Sequence, residues 1–202
     1  MLSVATDLSA IERLAAAAEG RRLFADYDTG SISIEEAALL QALVEDHHAR
    51  IIVEVGTFIG LSTTALASAP CVEALYTCDA SNDCLQSTDV IHTYPKRTST
   101  SMFRDLLKRN VRADLCFFDG VLPVEDVELL LRLTHPQTVY AFHDYNYGPK
   151  IRHGKHGTTY LETMPRKGIG NVRLLHAHLP QHVLIEPPAG TTLALLMPES
   201  RP

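Results

Sequence analysis

Apolar and polar residues follow two different periods along the chain, and the change between them predicts helices followed by a sheet. Residues 7–19 and the segment that begins at Ser33 repeat apolar positions every three to four residues, as amphipathic helices do. Glu36 stands three positions after Ser33, which predicts a capping box at the start of the second helix. Ile51–Val55 is instead a short, mostly β-branched apolar run, typical of a strand buried on both faces of a parallel sheet.

Strand-like and helix-like segments alternate after Ile51–Val55, which predicts a mostly parallel sheet with helices on both faces. Strands are predicted at Ala74–Cys78, Val90–Tyr94, Asp114–Phe118 and Thr138–Phe142. Helices are predicted at Ser62–Ser68, Ser101–Arg109, Val124–Leu133 and Gly168–Leu179. The crossover between Asp79 and Ser101 is short, and the strand within it is weakly marked.

The last part of the chain departs from this alternation. His182–Glu186 and Thr191–Met197 are two strand-like segments joined by Pro-Pro-Ala-Gly. Because four residues are too few for a crossover, we expect these segments to pair as an antiparallel hairpin. No internal repeat or linker is visible, so the sequence predicts one α/β domain over residues 1–202. Its N-terminal helices would occupy 1–48 and its sheet 49–197.

Composition and charge narrow the class of protein. Hydrophobic residues make up 46% of the chain and charged residues 21%, as in an ordinary globular domain. The formal net charge of -6 at pH 7 disfavours nucleic acid or an anionic membrane as a partner. Neither a membrane span nor a secretory signal is visible, so a cytoplasmic location is expected. The cysteines form no C-x-x-C pair and are expected to be reduced thiols: Cys71, Cys78, Cys84 and Cys116.

The segment that joins the first strand to its helix carries candidate binding chemistry. Gly56 and Gly60 suit a sharp turn where the backbone approaches a ligand closely, although a mere tight turn is the alternative. The spacing is not G-x-G-x-x-G, and the bulky Phe58 would crowd a pyrophosphate, so a nicotinamide cofactor is disfavoured. Glu54 suits a ligand with a cationic amino group, and Asp79 can accept hydrogen bonds from ribose hydroxyls.

The run VEVGTFIGLSTTALA, from Val53 to Ala67, resembles motif I of class I S-adenosylmethionine-dependent methyltransferases. It has the E-x-G-x-x-x-G-x-[ST] form of small-molecule O-methyltransferases. DLCFFDG at 114–120 and VYAFHDY at 139–145 resemble later strand ends of that family, and the terminal hairpin is similar to its reversed seventh strand. Over residues 29–197 the resemblance implies a Rossmann-like, seven-stranded sheet that binds S-adenosylmethionine. It also implies O-methylation of a small hydroxylated molecule.

Position by position, the resemblance implies where the cofactor would lie. The residues that would contact it are Glu54, Gly56, Thr57, Gly60, Ser62, Asp79 and, beside the adenine, Ser101. Asp119 and Asp144 match the residues that hold a divalent cation in metal-dependent members, and oxygen ligands would favour Mg²⁺ over zinc. Tyr145 stands where catechol-type enzymes have Asn, which leaves metal binding open. The alternative is that Asp119 caps a turn and Asp144 is a structural carboxylate.

Catalysis would also need a group that accepts the hydroxyl proton. His143 is the predicted general base, because imidazole titrates near neutral pH, and Asp119 and Asp144 are the other catalytic candidates. His153 and His156 fall in a predicted solvated loop after the fifth strand.

Two other functions stay open at this point. The chain could be a non-catalytic module that binds S-adenosylmethionine, such as a regulatory partner subunit, or a nicotinamide oxidoreductase. Intact Glu54 and Asp79 favour real cofactor binding. The apolar face at Ala15–Ala18 supports the hypothesis of a homodimer through the N-terminal helices. The sequence does not identify the methyl acceptor.

Overall fold

The structure is a computed structural model of the chain. The described residues are 32–80, 87–145, 150–153, 159–162, 167–185 and 192–199. The predicted helix at 7–19, the proposed dimer face at Ala15–Ala18, Cys84 and His156 lie outside these ranges.

Helices and strands alternate along the described chain. The helices are α1 (Ile34–Asp46), α2 (Leu61–Ala67), α3 (Ser99–Lys108), α4 (Asp126–Leu133) and α5 (Lys167–His176). The strands are β1 (Ile51–Val55), β2 (Ala74–Asp79), β3 (Ile91–Pro95), β4 (Leu115–Phe118), β5 (Val139–Phe142), β6 (Lys150–His153), β7 (Thr159–Glu162), β8 (His182–Ile185) and β9 (Ala194–Pro198).

Seven of these strands form one sheet in the order β3-β2-β1-β4-β5-β9-β8. The first five strands in that order are parallel, whereas β9 runs antiparallel to both β5 and β8. The predicted seven-stranded, mostly parallel sheet with a C-terminal antiparallel hairpin is therefore confirmed. The strand order reverses between β1 and β4, and ligands of open α/β sheets bind in the crevice at such a point.

The central strand is buried on both faces because helices pack on each side of the sheet. Ile52 belongs to one hydrophobic cluster with Leu40 of α1 and Leu66 of α2. Val53 belongs to the opposite cluster, with Phe103 of α3 among its members. All five side chains are fully buried. Each such side chain contributes roughly 1.5–3 kcal/mol. This two-sided burial explains the continuous apolar run of β1.

The predicted capping box is present at the start of α1. The Ser33 backbone N–H donates to Glu36 Oε2 at 2.8 Å, and the Glu36 N–H donates to Ser33 Oγ at 3.2 Å. Two otherwise unpaired backbone donors of the helix terminus are thereby satisfied.

One prediction of irregular structure was wrong. Lys150–His153 and Thr159–Glu162 pair as a separate antiparallel sheet, where the sequence had indicated a solvated loop around His153. The segment is rich in polar and glycine residues, so its apolar pattern is too weak to mark strands. The weakly marked third strand is present at Ile91–Pro95 and pairs with β2 in parallel.

Two predictions made from composition concern membranes and thiols. Within the described ranges, every helix is too short or too polar to cross a bilayer. Cys71, Cys78 and Cys116 carry free thiols. Burial raises the pKa of Cys78 to about 12, so this thiol is unreactive although it lies near the cleft described next.

Candidate functional site

A cleft of about 430 Å³ opens where β1, β2 and β4 end. Its lining includes Gly56, Phe58, Asp79, Arg97, Ser99 and Asp119. The cleft thus lies at the carboxyl ends of the parallel strands, beside the reversal of strand order, which is where the fold directs a ligand.

Gly56 is required by the way β1 packs against the end of β4. Its φ is +103°, and a Cβ at this position would lie 2.8 Å from both the carbonyl carbon of Asp119 and the backbone nitrogen of Gly120. The Asp119 and Gly120 N–H groups both donate to the Val55 carbonyl, at 2.9 and 2.8 Å. Only glycine fits such a contact, so the loop after β1 and the loop after β4 form one wall.

The loop after β1 also contacts the end of β2. Phe58 and Gly60 have positive φ angles of 44° and 79°, and the Gly60 N–H donates to the Thr57 carbonyl at 2.7 Å. In this tight turn the Phe58 N–H points to β2 and donates to Asp79 Oδ2 at 2.8 Å. The structure therefore brings together the two elements, loop and aspartate, from which a cofactor site was predicted.

Three of the predicted cofactor contacts have side chains that are engaged inside the protein. The Glu54 carboxylate is fully buried and accepts hydrogen bonds from the hydroxyls of Ser62, at 2.6 Å, and Thr63. Thr57 Oγ1 lies 2.6 Å from Thr77 Oγ1. These groups hold the first turn of α2 and the loop against the sheet, whereas the cleft lining passes through Gly56 and Phe58.

The burial of Glu54 changes its acidity. Desolvation raises the pKa of Glu54 to about 7, and the hydrogen bonds from Ser62 and Thr63 lower it only in part. The sequence indicated an acidic residue at this position for a cationic ligand group. The structure gives it a supporting position beneath the loop.

The residue predicted to lie beside the adenine, Ser101, falls at the start of α3. Thr98 caps α3 by accepting the Ser101 N–H at 3.3 Å, so Ser101 lies inside the first turn. Thr98 and Ser99 line the cleft instead. Ser99 Oγ donates at 2.5 Å to Asp126, a fully buried carboxylate that sequence reasoning missed.

His143 is the centre of a buried network of charged groups beyond the β4 and β5 ends. Its ring is almost fully buried; Nδ1 lies 2.8 Å from Asp119 Oδ1, and Nε2 lies 3.3 Å from Glu36 Oε2. The other oxygen of Glu36 accepts the Thr192 N–H at 2.6 Å and the Thr192 hydroxyl at 2.8 Å. The capping residue of α1 is thereby tied to the acidic end of β4.

The contacts of the network favour the charged form of its central ring. Burial lowers the pKa of His143, but the hydrogen bonds and charges of Asp119 and Glu36 raise it further, to about 9. For the Glu36 carboxyl group burial has the opposite effect and raises the pKa. The hydrogen bonds from His143 and Ser33 outweigh it and lower the pKa of Glu36 to about 2. A ring that donates from both nitrogens has no lone pair with which to accept a proton. The arrangement therefore argues against the predicted role of His143 as general base.

Asp144 completes a cluster of ligand-bearing side chains. It has a φ of +61°, its N–H donates to Thr192 Oγ1 at 3.2 Å, and its Oδ1 lies 3.9 Å from His143 Nδ1. Within the described ranges, Asp119, His143 and Asp144 each bring one metal-binding atom within 4.8 Å of the others. Tyr145, at the position of the expected third ligand, packs against the hydrophobic core.

Comparison with known proteins gives a result for structures only. No protein-family model and no curated protein matches the sequence. An O-methyltransferase from Bacillus cereus, in complex with SAH (S-adenosylhomocysteine), is 21% identical with a TM-score of 0.61. The match covers 97% of this chain and 93% of that one. The O-methyltransferase TomG from Streptomyces achromogenes, in complex with S-adenosylmethionine, is 21% identical with a TM-score of 0.62. That match covers 93% and 89% of the two chains.

A third similar structure is also that of a methyltransferase. SAH-bound methyltransferase PaMTH1 from Podospora anserina is 15% identical with a TM-score of 0.63, over 93% of this chain and 88% of that one. At identities this low, the TM-scores of 0.61 to 0.63 establish a shared fold and nothing further. The strand order, the reversed terminal hairpin and the cleft at the β1 and β2 ends agree with it. The chain has the fold of the class I S-adenosylmethionine-dependent O-methyltransferases.

Proposed function

We propose that this protein is an enzyme that transfers the methyl group of S-adenosylmethionine to an oxygen of a small hydroxylated molecule. The main support for the proposal is a contact at the mouth of the cleft between Asp79 and the loop after β1, Gly56–Gly60, which we call the glycine loop. In this contact the Phe58 N–H donates to Asp79 Oδ2 at 2.8 Å. Similar structures from Bacillus cereus and Streptomyces achromogenes hold SAH and S-adenosylmethionine, respectively, which supports the same ligand class for this cleft.

Different residues in the lining of the cleft would contact the ribose, the methionine part and the base of the cofactor. Asp79 is the last residue of β2 and lines the cleft. Its carboxylate would therefore accept hydrogen bonds from the ribose hydroxyls. The backbone from Gly56 to Gly60 would face the methionine part, since no side chain can occupy Gly56. Thr98 and Ser99 would flank the base, in place of Ser101.

The acceptor side would use the ends of β4 and β5. S-adenosylmethionine supplies an electrophilic methyl group when bound, so the protein mainly has to align the acceptor oxygen and manage one proton. Asp119 lines the cleft, whereas His143 is buried behind it. We therefore assign the Asp119 carboxylate to accept the proton that the acceptor hydroxyl loses during methyl transfer, and His143 to hold that carboxylate in place.

A divalent metal at Asp119 and Asp144 was the other expectation for this side. The carboxylate oxygens suit Mg²⁺, but the imidazole between them does not fit as a ligand. Its Nδ1 donates to Asp119 Oδ1, so no lone pair faces the cluster, and the ring brings a positive charge of its own. The mechanism therefore includes no step that depends on a metal.

Binding and turnover test separate parts of this proposal. Calorimetry should show SAH binding and no binding of NAD, and Asp79→Ala should weaken SAH by about 1–3 kcal/mol, the range for hydrogen bonds to charged groups. Exposed Asp89, before β3, supplies the matched control Asp89→Ala, which should leave SAH affinity unchanged. Absence of SAH binding to the wild-type protein would contradict the proposal.

A screen of hydroxylated small molecules with S-adenosylmethionine would then identify the acceptor. Methylated product confirms the enzyme; SAH binding without turnover on any acceptor would instead favour the non-catalytic module.

Assembly and location belong to the same proposal. We infer a cytoplasmic enzyme, and we retain the homodimer as a hypothesis built on Ala15–Ala18, outside the described residues. Sedimentation that shows only a 22.3 kDa species at micromolar concentration would refute the dimer.

A further inference from the structure

We propose that the imidazolium ring of His143 takes the place of a divalent cation between the acidic ends of β4 and β5, so that the acceptor side of the cleft works without bound metal. The inference rests on the proposed function only in naming this side of the cleft the acceptor side. The cation itself is assigned from the positions of four side chains.

The ring lies where a shared cation would bridge two strand ends. His143 Nδ1 is 2.8 Å from Asp119 Oδ1 and 3.9 Å from Asp144 Oδ1. The two carboxylates come from neighbouring parallel strands, β4 and β5, whose ends meet at the cleft. A positive group between them relieves the repulsion that two adjacent carboxylates would otherwise experience.

The opposite side of the ring fixes its protonation state by geometry. Nε2 lies 3.3 Å from Glu36 Oε2. Ionised carboxylate oxygens only accept hydrogen bonds, so a ring with a carboxylate at each nitrogen donates from both nitrogens and is cationic. Such a ring cannot bind a metal through Nδ1, and its charge repels a metal held by Asp119 and Asp144.

Hydrogen bonds from Ser33 and Thr192 hold the Glu36 carboxylate beside the His143 ring. Its Oε2 accepts the Ser33 N–H at 2.8 Å, and its Oε1 accepts both the N–H and the hydroxyl of Thr192. These donors come from the α1 terminus and from the segment before β9. The carboxylate that balances the imidazolium is therefore anchored at two distant points of the chain, and the ring stays in its place.

The side chain of Tyr145 also supports a site without metal. The side chain at the position of the expected third ligand packs against the hydrophobic core. Tyr145 does not carry the amide oxygen that catechol-type enzymes have at this position, whereas the imidazolium needs only the carboxylates that it already contacts.

Manganese titration of the full-length protein tests the proposal without knowledge of the acceptor. The six-line paramagnetic resonance signal of free Mn²⁺ disappears on binding, so site occupancy can be measured for wild-type protein at neutral pH. We expect wild-type protein to bind Mn²⁺ only weakly, without a stoichiometric site, and His143→Ala to gain one site at least tenfold tighter. The double variant His143→Ala with Asp144→Asn should lose that site again.

Controls separate this site from other metal-binding groups. His178 is exposed near the end of α5, so His178→Ala removes a histidine without touching the cluster and should behave as wild type. His143→Gln, which keeps an amide donor towards Asp119, is the second variant if His143→Ala unfolds.

Each outcome decides the proposal. One Mn²⁺ bound per wild-type chain and lost in Asp144→Asn would overturn it, whatever the state of the His143 variants. Failure of a folded His143 variant to gain Mn²⁺ would also overturn it, because the strand ends would then not be a place for a cation. Neither result depends on SAH binding, which tests the proposed function separately.

Discussion

Replacing Glu54 by Gln tests whether the buried Glu54 carboxylate beneath the loop after β1 titrates near neutral pH. The wild-type carboxyl group is fully buried, and desolvation raises its pKa to about 7, although Ser62 and Thr63 donate hydrogen bonds to it. Glutamine has almost the same shape and keeps an acceptor oxygen, but it does not ionise. The substitution therefore removes the charge with little change in packing.

The sign and size of the effect follow from the two pKa values. The folded pKa of Glu54 is raised above its ordinary value of 4.5, so the folded state binds the proton more tightly than the unfolded state does. The associated stability is fully present below about pH 4.5 and is lost as the pH rises through 7. The difference between about 7 and 4.5 corresponds to about 3 kcal/mol at full ionisation, of which about 2–3 kcal/mol falls between pH 5 and pH 8.

Urea unfolding of both proteins across this range measures the effect. The free energy of unfolding of Glu54→Gln, minus that of wild type, should rise by about 2–3 kcal/mol from pH 5 to pH 8. His143 is present in both proteins, so its own titration cancels. The exposed residue Glu45 provides the control, and Glu45→Gln should give a nearly constant difference. A constant difference for Glu54→Gln would refute the raised pKa and the burial that causes it.

Four further substitutions test backbone, capping and network contacts. Gly56→Ala should cost about 2–4 kcal/mol of stability, because its Cβ would meet the β4-end backbone at a positive φ. It should also weaken SAH binding at least tenfold in calorimetry. Gly170→Ala, on an exposed helix position where a Cβ meets nothing within 4 Å, should stabilise the protein by up to about 1 kcal/mol; a loss would contradict the described α5. Ser33→Ala should lower the unfolding free energy by about 1 kcal/mol in urea titration, and no change would contradict the capping box. Thr192→Val, which removes one donor to Glu36 and the acceptor of the Asp144 N–H, should cost at least about 1 kcal/mol in the same titration; an unchanged value would mean that these two hydrogen bonds contribute nothing.

The pattern of apolar and glycine residues was sufficient to predict the elements that depend on neighbouring positions in the sequence. Ile51–Val55 is apolar throughout its length except at Glu54 because helices cover both faces of β1, and the sequence shows that directly. The four residues Pro-Pro-Ala-Gly between the predicted strands His182–Glu186 and Thr191–Met197 are too few for a crossover and indicated an antiparallel hairpin. The pairing of β8 with β9 confirms it. Glycine spacing located the loop, although the close contact that requires Gly56 is with protein backbone.

The charged network was not predictable in the same way. Glu36 has a complete local explanation as a capping residue, so nothing in the sequence indicates that its carboxylate also reaches His143. The contact exists only because α1, β5 and the segment before β9 meet in three dimensions. Ser101 illustrates a smaller error, since Thr98 caps α3 and starts the helix earlier than the pattern showed.

The anchor between Glu36 and Thr192 joins groups that are 156 positions apart in the chain. Closing so long a loop costs conformational entropy before the contact returns any free energy, so such contacts form late in folding. During synthesis, α1 and β1 through β5 leave the ribosome before β9 exists, and in that interval Glu36 lacks two of its donors. The contact that holds Glu36 beside His143 is therefore completed only when the terminal hairpin docks beside β5 and brings Thr192 to it.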